Sequence, residues 1–212
     1  MDYFEKGYKR DGFYKIFMHD IHGNTLTVYC DMNSEAGAAW TLVESFALKN
    51  AKMPHFKTRP LKTNAPVNEK SPNWNLYRMT LDKMNHVKSQ STHWRATCSF
   101  PTHGVDYTDY VRAKFTDFDI MTYVGSGLCK KVEYVNIRGH RCVHCTSKWW
   151  QNPTYAAHID SSQTGCNLNA RLGSNTGAGG EDNFGYYGTI NSKFRCTSGP
   201  TSTTNWWFGG YQ

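Results

Sequence analysis

The chain has 212 residues, a formal net charge of +7 and 39% hydrophobic residues, and aromatic residues alone make up 15% of it. That length suits one large domain with a continuous core, and each aromatic side chain buries a large area, which argues against disorder despite the polar composition. No apolar run approaches the roughly 20 residues that a membrane-spanning helix needs, so we expect no membrane insertion.

The cysteines favour an oxidising compartment. The chain begins with the polar segment Met1–Lys6, which has no signal peptide character, so it is either a cytosolic protein or a mature domain whose leader has been removed. Five of the seven cysteines fall within residues 129–196, a segment rich in Gly, Ser, Thr and Asn that needs disulfides to be stable. We therefore predict a secreted, extracellular protein with one cysteine left over.

The first half of the chain predicts strands and then a long loop. Residues 12–17 and 25–30 have strand patterns and form a hairpin if residues 22–24 supply the turn. Residues 40–43 are a third strand candidate. Residues 47–75 lose all periodicity and contain four prolines, which predicts an ordered loop rather than a linker between domains.

A short helix and a central sheet are predicted next. Thr80 is a suitable N-cap for a helix with Leu81, Met84 and Val87 along one side. Three segments then alternate large and polar residues, as antiparallel strands with one covered face do. These segments are residues 92–98, 110–115 and 132–137.

From Arg138 onward we expect regular structure to fade into glycine-rich loops, which are where binding sites are usually built. The densest basic run lies earlier, in the predicted loop. It is either a solvated loop or a patch for anionic glycans or nucleic acid. Because it has neither regular aromatic interleaving nor a named nucleic-acid motif, we predict no nucleic-acid partner. The run comprises Lys49, Lys52, Lys57, Arg59, Lys62 and Lys70.

Cys142 and Cys145, with His144 between them, have the spacing of a zinc site. A structural zinc site normally needs a second such pair, which the sequence lacks, so a disulfide is the favoured use. No hydrolase, zinc-protease or phosphate-loop motif occurs, and we predict that the protein is not an enzyme. A metal-dependent enzyme using these three residues is the alternative that a free-thiol count tests.

Carboxylates in the glycine-rich region suggest calcium. Asp160, Glu181 and Asp182 could supply oxygen ligands from a flexible loop, which is the coordination that Ca²⁺ prefers. A solvated turn, in which Asp and Asn make local backbone hydrogen bonds, explains the same residues.

Three aromatic clusters occupy residues 149–150, 184–187 and 206–208. One interpretation is that they are core residues. The other is that one residue of each adjacent pair is exposed, because neighbouring side chains on an extended chain face opposite ways. An exposed ring beside carboxylates can stack on a sugar. The residues predicted to contact such a ligand are Asn183, Tyr186, Tyr187 and Trp207.

Three ordered motifs resemble the opening of fibrinogen C-terminal domains, including the intelectin branch. They are Asp-Gly-Phe-Tyr-Lys-Ile at 11–16, Val-Tyr-Cys-Asp-Met at 28–32 and Ala-Trp-Thr-Leu-Val at 39–43. Residues 136–139 and 202–207 also resemble divergent fibrinogen-like domains of cnidarian extracellular and skeletal-matrix proteins. The chain lacks the Asp-x-Asp-Asn-Asp calcium loop and the Gly-Gly-Trp-Trp segment of the fibrinogen-type members.

The resemblance implies an α+β fold with a central twisted antiparallel sheet, short helices and a loop-rich, disulfide-tied C-terminal part. The whole chain, 1–212, would be one domain with an N-terminal hairpin region (1–45), a central sheet region (46–137) and a loop-rich binding region (138–212). It also implies that the partner of Cys30 lies just upstream of Met1.

The function that the resemblance implies is extracellular recognition or adhesion. We expect a glycan or glycoprotein ligand, with calcium as the candidate cofactor. The alternative is a structural matrix module that contacts other matrix proteins without a small ligand.

Overall fold

A computed structural model of the chain describes residues 2–18, 25–161, 165–172 and 179–211. In these ranges the protein is a mostly antiparallel, sheet-rich structure with a few short helices, which is α+β in a coarse sense. The helices are α1 (Asp2–Glu5), α2 (Pro54–Lys57), α3 (Leu81–Ser89) and α4 (Phe100–His103), with single 3₁₀ turns at Leu48–Asn50 and Arg195–Thr197. The strands are β1 (Gly12–Phe17), β2 (Thr25–Asp31), β3 (Ala38–Ala47), β4 (Leu76–Arg78), β5 (His93–Cys98), β6 (Tyr110–Lys114), β7 (Gly125–Ile137), β8 (His140–Asn152), β9 (Tyr155–Asp160), β10 (Asp182–Asn183) and β11 (Thr203–Tyr211). No helix in the described part of the chain is long and apolar enough to cross a membrane.

One sheet connects all the strands in the order β1-β2-β3-β11-β5-β6-β7-β8-β9-β10, with β4 paired to β3. The last strand in the sequence, β11, therefore lies in the middle, between β3 and β5. Strand β1 forms one end of the sheet and β10 the other.

The strand and helix predictions in the first two thirds of the chain are confirmed in position. Thr80 caps α3, since its side-chain oxygen accepts a hydrogen bond from the backbone N–H of Lys83. The turn predicted at residues 22–24 lies outside the described residues.

The prediction that regular structure fades after Arg138 is wrong. The thirteen-residue strand β8, together with β9 and β11, lies in that region. Glycine content does not exclude strands in this region. Gly209 and Gly210 lie inside β11, where a Cβ would collide with neighbouring strands or side chains.

Trp206 and Trp207 are both buried, which agrees with the core alternative for this cluster and not with the alternative of one exposed ring. The reason is that both faces of the sheet are covered at β11. On one face Trp206 packs against Trp94, with ring centroids 5.6 Å apart. On the other face Trp207 packs against Phe100 at 4.7 Å.

A fully buried guanidinium lies on the second of these faces. Arg95 is stacked between the rings of Trp40 and Trp207, 4.6 and 4.9 Å from their centroids. It pairs with Asp31 and, at 2.5 Å, with Glu35. Burial alone would raise the pKa of Asp31, but the charge and hydrogen bonds of Arg95 hold it below its usual value.

Three disulfides join the six cysteines other than Cys30, as predicted. The bond between Cys98 and Cys196 ties β5 to the 3₁₀ turn that precedes β11. Cys30 is buried and unpaired within the described residues, so the prediction of a partner upstream of Met1 is not tested. The other bonds are Cys129–Cys166 and Cys142–Cys145.

The basic loop around α2 is held by a buried arginine. The Arg78 guanidinium donates hydrogen bonds to the backbone carbonyls of four loop residues at 2.7–3.0 Å. It also pairs with Glu44 at 2.9 Å. These bonds fix the course of a segment that has little regular structure of its own. The four residues are His55, Arg59, Pro60 and Thr63.

Candidate functional site

One face of the sheet near its β10 end carries aromatic and acidic side chains. Across β8 and β9, Trp150 lies opposite His158, and across β9 and β10, Asp160 lies opposite Asp182. Because alternate residues of a strand share a face and directly paired residues lie on the same face, all four side chains are on one side.

The rings on this side form a stack. The His158 ring is nearly parallel to that of Trp150, at 5.8 Å, and to that of Tyr186, at 4.9 Å. Tyr155 meets the Tyr186 ring edge-on at 4.8 Å and is 36% exposed. Tyr186 and Trp150 are half-buried, whereas His158 is buried. We call Trp150, Tyr155, His158 and Tyr186 the aromatic face.

A strained turn presents Tyr186. The Tyr187 N–H donates to the Gly185 carbonyl at 2.9 Å, which closes a three-residue turn with Tyr186 at its centre and at a φ of 65°. Phe184 and Tyr187 also have positive φ, at 66° and 49°. Bulky residues rarely adopt this conformation, and such strain clusters at ligand-binding and catalytic positions.

The same turn is pressed against β9. A Cβ added to Gly185 would lie 2.4 Å from the Ala157 carbonyl oxygen, so only glycine fits there. Tyr187 points inward, and its hydroxyl lies 2.7 Å from that of Thr204. Tyr187 therefore anchors the turn, while Tyr186 reaches the surface.

Burial sets the charge states of His158 and Asp182. It lowers the pKa of His158 to about 4, so this ring is neutral at physiological pH. Burial, with a further contribution from Asp160, raises the pKa of Asp182 to about 7. The His158 Nε2 to Asp182 Oδ1 contact of 3.7 Å is therefore not an ion pair at neutral pH.

Two cations border the aromatic face. Lys57 Nζ lies 5.4 Å from the centroid of the Tyr186 ring. Arg59 is exposed and lines a narrow crevice together with Ala156, Ala157 and Gly185. The basic loop is thus adjacent to the turn that presents Tyr186.

The structure separates the residues predicted to bind a glycan. Tyr186 reaches the surface, but Tyr187, Asn183 and Trp207 are buried. Asn183 donates to Glu181 at 2.8 Å, and the Trp207 indole N–H donates to the Thr97 hydroxyl at 3.0 Å. These three residues are core residues and offer no surface to a ligand.

The three predicted calcium ligands are also not brought together. Glu181 is fully buried and pairs with Arg138 at 2.9 Å. Asp160 and Asp182 are neighbours across β9 and β10. Within the described ranges no group of three or more His, Cys, Asp or Glu side chains is arranged to hold a metal ion. Calcium ligation stays a prediction.

Residues 142–145, the candidate zinc site, contain a disulfide. Cys142 and Cys145 are bonded to each other, and His144 is exposed. Thiolates tied up in a disulfide are not metal ligands.

Sequence reasoning missed five residues of this site. Tyr155 and His158 fell in a segment predicted to be loop, and Lys57 and Arg59 were assigned only to a basic run. Trp150 was named within a cluster but not chosen. The alternation of His158 and Asp160 was a usable signal, because it indicates a strand whose one face carries both side chains.

No protein-family model, no curated protein and no solved structure matches the chain. The resemblance to fibrinogen C-terminal domains therefore stays a prediction, and the functional argument depends on the geometry of the site.

Proposed function

We propose that the protein is an extracellular recognition module that binds a glycan or glycoprotein on the aromatic face. The observation that carries the proposal is the half-exposed Tyr186, stacked on His158, with the exposed Tyr155 edge-on beside it. Held by His158 and bordered by Lys57, the Tyr155 and Tyr186 rings together present an apolar surface of fixed orientation, which suits the C–H-rich face of a pyranose.

The side chains of the site are already ordered in the folded protein, before any ligand binds. His158 and Tyr155 hold the Tyr186 ring in place, and the strained turn fixes its backbone. A rigid site loses little side-chain entropy on binding, which favours affinity for a ligand that makes few contacts.

The three disulfides support the cellular location. Such bonds persist in oxidising compartments, so an extracellular-type environment suits this chain. Secretion is part of the proposal, as is the absence of catalytic activity.

Glycan-array binding of two variants tests the function. Tyr155→Ala removes an exposed ring, and Tyr186→Gly removes the stacked ring while relieving the positive φ at that position. We expect each variant to lose at least about tenfold in affinity, as is usual when an aromatic anchor is removed. Phe17→Ala, which removes a 68% exposed ring on β1 at the far end of the sheet, is the matched control and should bind normally.

The array is run with calcium and with EGTA, which tests the calcium prediction in the same experiment. Binding that disappears in EGTA and in Asp182→Asn would support a calcium site at Asp160 and Asp182. Unchanged binding would remove calcium from the account. Absence of any glycan signal, with all variants folded, would contradict the proposed function itself.

A second candidate function, a matrix module that contacts proteins, is favoured by one observation. Phe13 and Phe17 are 64% and 68% exposed on β1, and Tyr8 nearby is 52% exposed. A hollow of about 620 Å³ lies along Gly7–Tyr14 beside them. If Phe17→Ala abolishes binding to matrix proteins while Tyr155→Ala does not, this second function is the correct one.

A further inference from the structure

The cations beside the aromatic face, Lys57 and Arg59, have no acidic partner among the described residues. In the described part of the chain neither the Lys57 ammonium nor the Arg59 guanidinium makes an ion pair, although other basic side chains nearby do. Lys83, for example, pairs with Glu69 at 2.7 Å. Other residues of the basic run, such as Lys49 and Lys62, also make no ion pair among the described residues, but it is Lys57 that lies over the ring of Tyr186.

These two charges are also held in position. Arg78 binds the carbonyls of His55 and Arg59, on either side of Lys57, at 2.7 and 3.0 Å. Farther along the loop, the Leu61 N–H donates to the Gln151 side chain at 3.1 Å, which ties the loop to β8. A loop fixed at both ends of the basic pair presents its charges in a constant place relative to the aromatic face.

The carboxyl groups on the same side reduce this charge only partly. Asp182 is buried and has a pKa raised to about 7 by burial, so it is only partly ionised near neutral pH. Glu44 is buried and pairs with Arg78. Asp160 lies across from Asp182 and is half-buried.

We propose that the ligand of the aromatic face is an anionic glycan, in which a sugar ring packs against the exposed Tyr155 and the edge of Tyr186 while its sulfate or carboxylate group is bound by Lys57 and Arg59. This inference depends on the proposed function and narrows it to one ligand class. The Lys57 Nζ lies over the Tyr186 ring, 5.4 Å from its centroid, so an anionic substituent of a sugar that packs beside this ring would meet the ammonium.

The charge arrangement gives this ligand an advantage over a neutral glycan. An anionic group paired with lysine and arginine makes charge-assisted hydrogen bonds, which are about twice as strong as neutral ones. The guanidinium can hold a sulfate or carboxylate through two parallel N–H bonds, whereas the ammonium acts as a point charge.

Calorimetric titration tests the proposal with a heparin octasaccharide and its fully desulfated, N-acetylated counterpart. The double variant Lys57→Gln/Arg59→Gln should weaken the octasaccharide at least about tenfold. The matched control Lys9→Gln/Lys15→Gln removes the same charge from exposed positions at the β1 end and should change the affinity by less than about twofold, the effect of net charge alone. Neither pair removes a side-chain hydrogen bond or ion pair within the described residues, so we expect both variants to fold like the wild type.

Three outcomes would overturn the inference. One is equal weakening by the two double variants, which would mean non-specific attraction to a basic protein. Another is equal affinity for the sulfated and desulfated octasaccharides. The third is tighter binding of poly(U) than of the octasaccharide through the same residues, which would identify a nucleic acid as the ligand.

The proposed function fails in a different way. If neutral glycans bind and need Tyr155 and Tyr186, recognition of glycans stands and only the anionic class is wrong. If no glycan of either kind binds the folded protein, both proposals are wrong.

Discussion

Arg95 and Lys57 are both cations over aromatic rings, but their surroundings differ. Arg95 is fully buried between Trp40 and Trp207 and pairs with Asp31 and Glu35. Lys57 is half-buried over Tyr186 and has no carboxylate partner among the described residues.

The difference suits a structural role for Arg95 and the proposed ligand-binding role of Lys57. A buried charge must be neutralised within the protein, because desolvation is too costly otherwise. Glu35 is itself shared among Arg95, Arg112 and the Tyr110 hydroxyl, so the centre is a closed network. Each charge there has a counter-charge within the protein, so the centre offers no unpaired charge to a ligand. Lys57 has no such counter-charge among the described residues, and in our proposal the ligand supplies the anion.

The largest expected effect on stability comes from the substitution of Arg95 in the buried charge network. Arg95→Met keeps most of the side-chain volume but leaves Asp31 and Glu35 buried without their partner, which should cost about 3–5 kcal/mol of the free energy of unfolding. Urea-induced unfolding, followed by tryptophan fluorescence, measures it. If the Met variant does not fold, Arg95→Lys, which keeps the charge and loses the planar fork, should still be destabilised. A loss below about 1 kcal/mol in either variant would contradict a closed network.

A smaller effect, dependent on pH, is expected from Asp182. Its folded-state pKa of about 7 exceeds its ordinary value of 3.8, so the folded state binds the proton more tightly. Its contribution to stability is therefore greatest at low pH and is lost as the pH rises through about 7. Relative to Asp182→Asn, the wild type should lose about 2–3 kcal/mol of unfolding free energy between about pH 5 and pH 8.

The control for the Asp182 measurement is built into the comparison. The pKa of His158 is lowered to about 4, so its contribution changes in the opposite sense, rising as the pH increases from about 4 to 6.5. Both proteins contain His158, and its effect largely cancels in the difference. A difference in unfolding free energy that stays constant with pH would show that Asp182 is not held in a desolvated site.

The smallest effect on stability is expected from the substitution of Lys57. Lys57→Met should change the free energy of unfolding by less than about 0.5 kcal/mol, since it breaks no ion pair and its stem can still cover Tyr186. Thermal unfolding in the same buffer as the Arg95 variants provides the measurement. A loss comparable to that of Arg95→Met would mean that Lys57 is structural, and the comparison between the two cations would fail.

The sequence predicted local elements well because their signals are local. The alternation in residues 12–17 and 25–30 and the cap at Thr80 depend on neighbours in the chain, and the structure confirms them. Composition predicted disulfides, and the resemblance implied that Cys30 is the cysteine left over, but neither gave the pairing of the other six.

The arrangement of the site could not be predicted because it depends on distant pairings. Nothing near Trp207 in the sequence shows that β11 enters the middle of the sheet, where both of its faces are covered. The contact between Lys57 and Tyr186 joins residues more than half the chain apart. The choice of Tyr186 over Tyr187 as the exposed ring follows from a strained turn, which no sequence propensity predicts.

The most direct test of the account is a ¹H–¹⁵N NMR titration of the folded protein with the heparin octasaccharide. We predict that the amide shifts that change most belong to residues 57–59, 155–158 and 185–188, the three segments that form the aromatic face and its basic border. Shifts concentrated at residues 8–17 on the opposite end of the sheet, or spread evenly over all basic surfaces, would contradict it.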